Sequence, residues 1–164
     1  MNNLEESFVN EITQNQNLIH KICRIYAIDS DEHKDLFQEI TIQLWKSYPK
    51  FEHKSKFSTW AYRIALNTAI TLFKKKKTKK IDTTTLDNNL FFINSQEYDT
   101  QEEEQLQLLY KAIHRLGDIE KALIYMYLED KDYKEIAETL GISEVNARVK
   151  MNRIKNKLKE LIQP

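Results

Sequence analysis

Residues 132–161 read DYKEIAETLGISEVNARVKMNRIKNKLKEL, and the pattern of this stretch predicts two helices and the turn between them. Asp132 and Glu135 form a capping box at the start of one predicted helix, and Gly141 ends that helix. Ser143 then caps a second helix that runs to the end of the stretch. Two helices joined by a short turn that contains glycine are typical of a helix-turn-helix.

The apolar residues of this stretch predict one buried side. It consists of Ile136, Ala137 and Leu140 in the first helix and Ala147, Met151, Ile154, Leu158 and Leu161 in the second. The opposite side of the second helix is basic, because no acid occurs between Val145 and Lys159. Its cations are Arg148, Lys150, Arg153, Lys155, Lys157 and Lys159. Charge of one sign beside a capped turn favours a DNA-reading helix over the alternative, an amphipathic helix with a solvated lysine face.

The composition predicts an all-α protein. Among 164 residues, 41% are hydrophobic, and there are two Gly and two Pro, so long helices joined by short polar loops are expected. The single cysteine, Cys23, has Ile19, Ile22 and Tyr26 as helical neighbours, which indicates a core position. No apolar run approaches the ~20 residues of a membrane span, and residues 1–17 are too polar for a signal peptide. We therefore expect a cytoplasmic protein.

The charges are arranged in blocks that cancel to a formal net charge of zero. Residues 50–80 hold ten Lys and Arg against one acid, Glu52, whereas residues 81–109 hold seven acids and no Lys or Arg. The basic block predicts a nucleic-acid partner. Residues 81–104 lack helical periodicity and are interpreted as an acidic linker. The linker divides the chain into two helical domains, residues 1–80 and residues 105–164.

In the N-terminal domain, two predicted helices carry candidate functional faces. The helix that ends before Pro49 has an apolar stripe, and its other face presents Asp35, Gln38, Glu39 and Gln43. A loop with Lys50, Lys54 and Lys56 follows it.

The next helix has two distinct sides. One is small and apolar and consists of Ala61, Ile64, Ala65, Thr68, Ala69 and Leu72. The other forms a ridge of Trp60, Arg63, Asn67, Thr71 and Lys74. An aromatic ring, a guanidinium, an amide and an ammonium group on one ridge can stack on bases and neutralise phosphates. The alternative is a core tryptophan beside a solvated arginine.

These residues together resemble a family, the bacterial sigma factors of the sigma-70 class, and within it the extracytoplasmic-function (ECF) group. DLFQE at residues 35–39, followed by Trp45, resembles the polymerase-docking helix of the family. FSTWAYRIALN at residues 57–67 resembles its promoter-melting and minus-ten-reading helix. The helix-turn-helix resembles its minus-thirty-five reader, with Tyr133, Glu135, Ile136, Ala137, Leu140, Gly141, Ser143 and Arg153 at matching positions.

The resemblance implies partners and roles. Core RNA polymerase would be bound through its beta-prime clamp helices and beta flap, with Asp35, Gln38, Glu39 and Gln43 docking on the clamp helices. Promoter DNA would be melted and read at the minus-ten element by Lys50, Lys54, Lys56, Trp60, Arg63, Asn67, Thr71 and Lys74. The minus-thirty-five element would be read by Asn146, Arg148, Val149, Lys150, Asn152 and Arg153, with Arg148 on guanine. An anti-sigma factor is a further candidate partner.

The chain departs from the family pattern at several positions. Gly117 stands where Pro is usual, Lys121 where Arg is usual, and Asn146-Ala147 where Thr-Val is usual. Because Asn146 and Ala147 lie in the recognition helix, the usual base preference of the family is not transferred to this chain.

Other classes of protein fit the sequence less well. No catalytic residue, metal, cofactor or small-molecule substrate is expected, since no two of His20, His33, His53 and His114 have metal-ligand spacing on a helix. A stand-alone helix-turn-helix regulator is the main alternative, and a helical adaptor that binds only protein is another.

Overall fold

The computed structural model describes residues 2–79 and 100–163, where the chain forms seven α-helices and one short 3-10 turn. The elements are α1 Asn3–Tyr26, α2 Ser30–Ser47, the turn Tyr48–Lys50, α3 Phe57–Lys79, α4 Thr100–His114, α5 Asp118–Leu128, α6 Tyr133–Leu140 and α7 Glu144–Ile162. This confirms the predicted all-α class for the described residues. None of the described helices is long and apolar enough to cross a membrane.

The chain divides into two compact units, Met1–Thr83 and Thr84–Pro164. In the N-terminal unit α1, α2 and α3 each pack against the other two. Asp29 begins α2, because its carboxylate accepts a hydrogen bond of 2.8 Å from the Glu32 amide. The three helices enclose a core of fully buried side chains, among them Ile22, Tyr26, Leu36, Ile40, Leu44 and Leu66.

Cys23 belongs to this core. Its side chain is fully buried, and burial raises the pKa of its thiol to about 12. A thiol that holds its proton at neutral pH is a poor nucleophile. The predicted core position of Cys23 is confirmed.

The buried face of α3 is broader than the predicted apolar side. Ala61, Ala65 and Ala69 are buried as expected, whereas Ile64, Thr68 and Leu72 are only half-buried. Buried instead are Phe57, Tyr62, Leu66 and Phe73. Since α3 packs against both α1 and α2, it needs two buried faces rather than a single stripe.

In the C-terminal unit α7 packs against α4, α5 and α6. The helix α4 begins at Thr100, inside the range 81–104 that was predicted as linker, and its first turn contains Glu102 and Glu103. Acids at a helix N-terminus interact favourably with the helix dipole, which favours this earlier start. The rest of the predicted linker lies outside the described residues.

Candidate nucleic-acid interfaces

The turn between α6 and α7 is fixed by local hydrogen bonds. Asp132 caps α6 by accepting from the Glu135 amide at 2.8 Å, and Ser143 caps α7 by accepting from the Asn146 amide at 3.1 Å. Gly141 has a φ of 69°, a left-handed conformation that favours glycine, and the amide of the following residue donates to the Ala137 carbonyl. The predicted helix-turn-helix is therefore present.

The helix α7 has one buried side and one exposed side. Ala147, Met151, Ile154 and Leu158 are buried, as predicted, whereas Leu161, predicted with them, is half-buried. The six candidate minus-thirty-five residues lie off this core: Asn146, Arg148, Val149, Asn152 and Arg153 are exposed and Lys150 is half-buried. Val145, Asn146, Val149 and Asn152 on this side are open to solvent, whereas several of its cations contact neighbouring helices.

Three cations of α7 are held by neighbouring helices. The guanidinium of Arg148 lies 4.9 Å from the centroid of the Tyr133 ring, and the ammonium of Lys155 lies 4.5 Å from that of Tyr127. A hydrogen bond with Tyr127 raises the pKa of Lys155. Lys157 lies 3.5 Å from a carboxylate oxygen of Glu120. These contacts fix the direction of the cations relative to the helix.

The candidate polymerase-docking residues share one face of α2. Asp35 and Gln38 are exposed, whereas Glu39 and Gln43 are half-buried. The Gln43 amide donates a hydrogen bond of 2.8 Å to the Glu39 carboxylate, which orders both side chains. Ile42 lies among them with 45% of its surface exposed. The face thus combines carboxylates and amides with an accessible apolar side chain.

Trp60 packs within an aromatic cluster and also reaches solvent. Its ring centroid lies 4.7 Å from that of Phe51, 5.4 Å from that of Phe57 and 6.2 Å from that of Tyr48. The residue as a whole is half-buried. The structure therefore places Trp60 between the two alternatives, since one part belongs to the core and another is accessible.

Most other candidate minus-ten residues are exposed. They are Lys50, Lys54 and Lys56 around the loop before α3, and Asn67, Thr71 and Lys74 along α3, while Arg63 is half-buried. Lys54 forms an ion pair of 2.6 Å with Glu52 at the surface. Since surface ion pairs contribute ~0–1 kcal/mol, a phosphate could displace this acid.

A groove between α2 and α3 brings two of the predicted surfaces together. Its volume is about 370 Å³, and its lining consists of Glu39, Gln43, Ile64, Asn67, Thr68, Thr71, Leu72 and Lys75. Glu39 and Gln43 were predicted to bind polymerase, and Asn67 and Thr71 to bind DNA. The sequence indicated which helix carries each set but not that the two sets adjoin.

The structure also pairs two histidines that sequence reasoning left apart. His20 Nδ1 of α1 lies 3.0 Å from His33 Nε2 of α2, and the two rings are stacked. The ring of Phe37 also stacks on the ring of His20, and the two centroids are 4.6 Å apart. Within residues 2–79 and 100–163, no three His, Cys, Asp or Glu side chains are grouped so that they could hold a metal ion.

Family models match both units. The model described as Sigma-70 region 2 matches residues 12–79, and the model described as Sigma-70 region 4 matches residues 106–158. The first match covers α2, α3 and most of α1, and the second covers the helix-turn-helix.

Curated relatives match most of the chain. The RNA polymerase sigma factor SigZ of Bacillus subtilis is 31% identical over 130 residues, which are 79% of this chain and 72% of the relative. The ECF RNA polymerase sigma-E factor of Haemophilus influenzae is 27% identical over 163 residues, which are 93% of this chain and 86% of the relative.

Two solved structures share the fold. The sigma factor RpoE, in complex with the anti-sigma factor NepR from Bartonella quintana, superposes with a TM-score of 0.73 at 19% identity, covering 96% of this chain and 98% of that chain. CnrH, in complex with the cytosolic domain of CnrY, superposes with a TM-score of 0.65 at 16% identity, covering 96% and 88%.

Proposed function

The chain belongs to the sigma-70 family, as a sigma factor of the ECF group, and from this premise we propose that it directs core RNA polymerase to promoters. In this proposal the C-terminal unit reads the minus-thirty-five element as duplex. The N-terminal unit docks on the beta-prime clamp helices, and it reads and melts the minus-ten element.

The observation that carries the proposal is the exposed side of α7. It follows a capped turn, it carries cations without an acid from Val145 to Lys159, and most of its residues are exposed. A single helix of this kind fits the major groove, where cations reach phosphates and other side chains reach base edges.

The N-terminal unit supplies the complementary surface for separated strands. An extruded base costs a few kcal/mol to unstack, and each stack on an aromatic ring returns about 1–3 kcal/mol. The accessible part of Trp60 offers such a stack, with Lys50, Lys54, Lys56 and Lys74 exposed for phosphates. Because Asn67 and Thr71 line the groove beside Glu39 and Gln43, polymerase docking and strand capture are proposed to occur side by side.

The whole proposal can be tested by selecting promoters from a random duplex library. Core polymerase with this chain is expected to retain duplexes that share two sequence elements, and core polymerase alone is expected to retain none of them. If the chain is instead a stand-alone regulator, it should select the same duplexes in the absence of polymerase. That result would exclude the sigma-factor mechanism.

The docking face has a separate test. Glu39→Lys is expected to weaken binding to core polymerase, because it reverses a charge in the centre of the polar face of α2 and breaks the hydrogen bond from Gln43. Glu5→Lys, an exposed charge reversal near the start of α1, is the matched control. Equal affinity of the two variants for core polymerase would refute the assigned face.

An anti-sigma factor is proposed as the third partner. The similar RpoE is solved in complex with an anti-sigma factor. In this chain Ile42 and Trp45 expose apolar surface on α2, which a protein partner could cover in competition with polymerase. A protein that co-purifies with the chain is expected to be displaced by core polymerase, and its retention in a ternary complex would contradict competition at α2.

A further inference from the structure

The side of α7 that points furthest from its core is not its basic part. At about 100° per residue, the direction opposite the buried residues is occupied by Val145, Val149, Asn152 and Asn156. All four are exposed, and Val145 is exposed by 71% and Val149 by 43%. This outer ridge contains no charge.

The cations lie on both flanks of the outer ridge. Relative to Val145, Arg148 and Lys155 are rotated about 60–80° to one side, and Arg153 and Lys157 about 80–120° to the other. The ring contacts of Arg148 with Tyr133 and of Lys155 with Tyr127 hold these two cations toward the neighbouring helices. A helix in the major groove with this arrangement turns its cations toward the two phosphate backbones and its ridge toward the base edges.

Burial within the unit explains the two valines only in part, because both remain exposed. Valine is a weaker helix former than alanine or lysine, and an exposed valine gains little from burial. In the major groove the only apolar group on a base edge is the C5-methyl of thymine. Val145 and Val149 lie in the first turns of α7, the part of a recognition helix that contacts bases.

We infer that Val145 and Val149 read thymine, by packing against the C5-methyl groups of two thymines in the minus-thirty-five element. The valines are about 6 Å apart along the helix, so the thymines lie within about two base-pair steps of each other. Asn152, next on the ridge, suits the adenine of an A·T pair. This inference rests on the proposed function of α7, and it assigns to Arg148 a phosphate rather than a guanine.

The test removes the methyl groups one at a time from the selected promoter. Deoxyuridine replaces thymine without changing any hydrogen bond, so its effect on holoenzyme binding measures the methyl contact alone. Each methyl read by a valine is expected to contribute about fourfold in affinity. In the double variant Val145→Ala, Val149→Ala the deoxyuridine effect is expected to disappear, and both exposed positions tolerate alanine in a helix.

A matched control distinguishes loss of the ridge valines from loss of any exposed valine. Val9→Ala removes the same atoms from a valine that is 57% exposed on α1, and it should leave the deoxyuridine effect at its wild-type size. If the wild-type holoenzyme shows no deoxyuridine effect, or if the double variant keeps it, this inference is wrong while the proposed function stands. If no duplex is selected at all, the proposed function fails and this inference with it.

Discussion

At the scale of single residues, Trp60 combines a structural and a functional part. One side of its ring packs on Phe51 and Phe57, and the rest is accessible. Trp60→Ala is expected to lower the fraction of open promoter complex about fivefold or more, because a base stack of about 1–3 kcal/mol is lost. Permanganate footprinting measures the open fraction, and a gel shift on duplex measures closed binding.

The aromatic variant Trp60→Phe serves as the control for this prediction. It keeps a ring in the cluster and a surface for stacking, so it should retain most of the open complex. Equal losses of open complex and closed binding in Trp60→Ala would show that the tryptophan acts through stability of the unit rather than through the strand.

Arg148 gives a second prediction at this scale. Its guanidinium lies over Tyr133, on a flank of α7, so Arg148→Ala is expected to weaken holoenzyme binding for all sequences alike. The slope of log affinity against log salt concentration should fall by about one. Lys111→Ala, which removes an exposed cation of α4, is the control and should leave the slope unchanged. If Arg148→Ala instead changes the base preference, Arg148 contacts guanine, as the sequence led us to expect.

The site residues show what sequence can and cannot predict. Asn146, Arg148, Val149, Asn152 and Arg153 were predicted to lie off the core, and they do, because helical periodicity alone fixes the exposed side of α7. Contacts between helices cannot be predicted in this way. The stacking of Arg148 on Tyr133, and the pairing of His20 with His33, depend on how helices pack and leave no local signal.

At the scale of elements, the turn of the helix-turn-helix depends on Gly141. A side chain at its φ of 69° is strained, although nothing lies within 4 Å of the added Cβ. Gly141→Ala is therefore expected to destabilise the α6–α7 pair by about 1 kcal/mol through the backbone alone. Hydrogen exchange of the α7 amides measures this loss.

The other glycine provides the control. Gly117 caps α5 with a φ of −68°, and an added Cβ would meet Glu120 only at an ordinary contact distance of 3.7 Å. Because alanine is a poorer N-cap than glycine, Gly117→Ala is expected to weaken the first turn of α5 by about 0.5–1 kcal/mol, without backbone strain and without a change in the turn between α6 and α7. Equal protection of α7 in Gly141→Ala and the wild-type protein would show that the turn does not need a left-handed residue.

Helix ends were predicted well where a side chain or a glycine marks them, as at Asp132, Gly141 and Ser143. The start of α4 was not, because nothing in residues 81–104 has the periodicity from which the prediction was made. The buried face of α3 was predicted only in part. A helix packed on two neighbours hides apolar residues around much of its circumference, and a single-stripe interpretation misses side chains such as Tyr62 and Leu66.

At the scale of the whole molecule, both tryptophans, Trp45 and Trp60, lie in the N-terminal unit, so tryptophan fluorescence reports on the unfolding of that unit alone. This unit contains the His20–His33 pair. Burial is the main cause that lowers the pKa of each histidine below 6.5, and the positive charge of Arg24 adds to it; for His33 the proximity of His20 contributes as well.

The sign of the resulting pH dependence follows from these shifts. Because the unfolded chain takes up protons near pH 6.5 and the folded unit only at lower pH, the stability that the neutral pair contributes is complete above pH 6.5. It is lost as the pH falls from 6.5 toward the folded pKa values. The Tm detected by tryptophan fluorescence should therefore decrease as the pH is lowered from 7.5 to 5.

Two variants test the origin of this decrease. His33→Phe keeps an aromatic ring beside His20 and should reduce the pH dependence. His53→Gln changes an exposed histidine on the loop before α3 and should leave it as in the wild-type protein. A decrease in Tm of the same size in all three proteins would assign the pH dependence to other groups.

The distribution of charge along the chain matters more for function than its sum. A formal net charge of zero hides a basic block at residues 50–80 that the proposal assigns to promoter DNA and an exposed basic side of α7 that it assigns to a second element. We propose that these surfaces act together on one polymerase.

Run-off transcription tests that claim most directly, with core RNA polymerase and this chain added separately and together to a linear duplex that carries the selected promoter. A transcript with a single start site is expected only when both proteins are present, and it should be lost when either promoter element is scrambled. Equal transcription with and without the chain, under conditions where the chain is bound to core polymerase, would contradict this proposal.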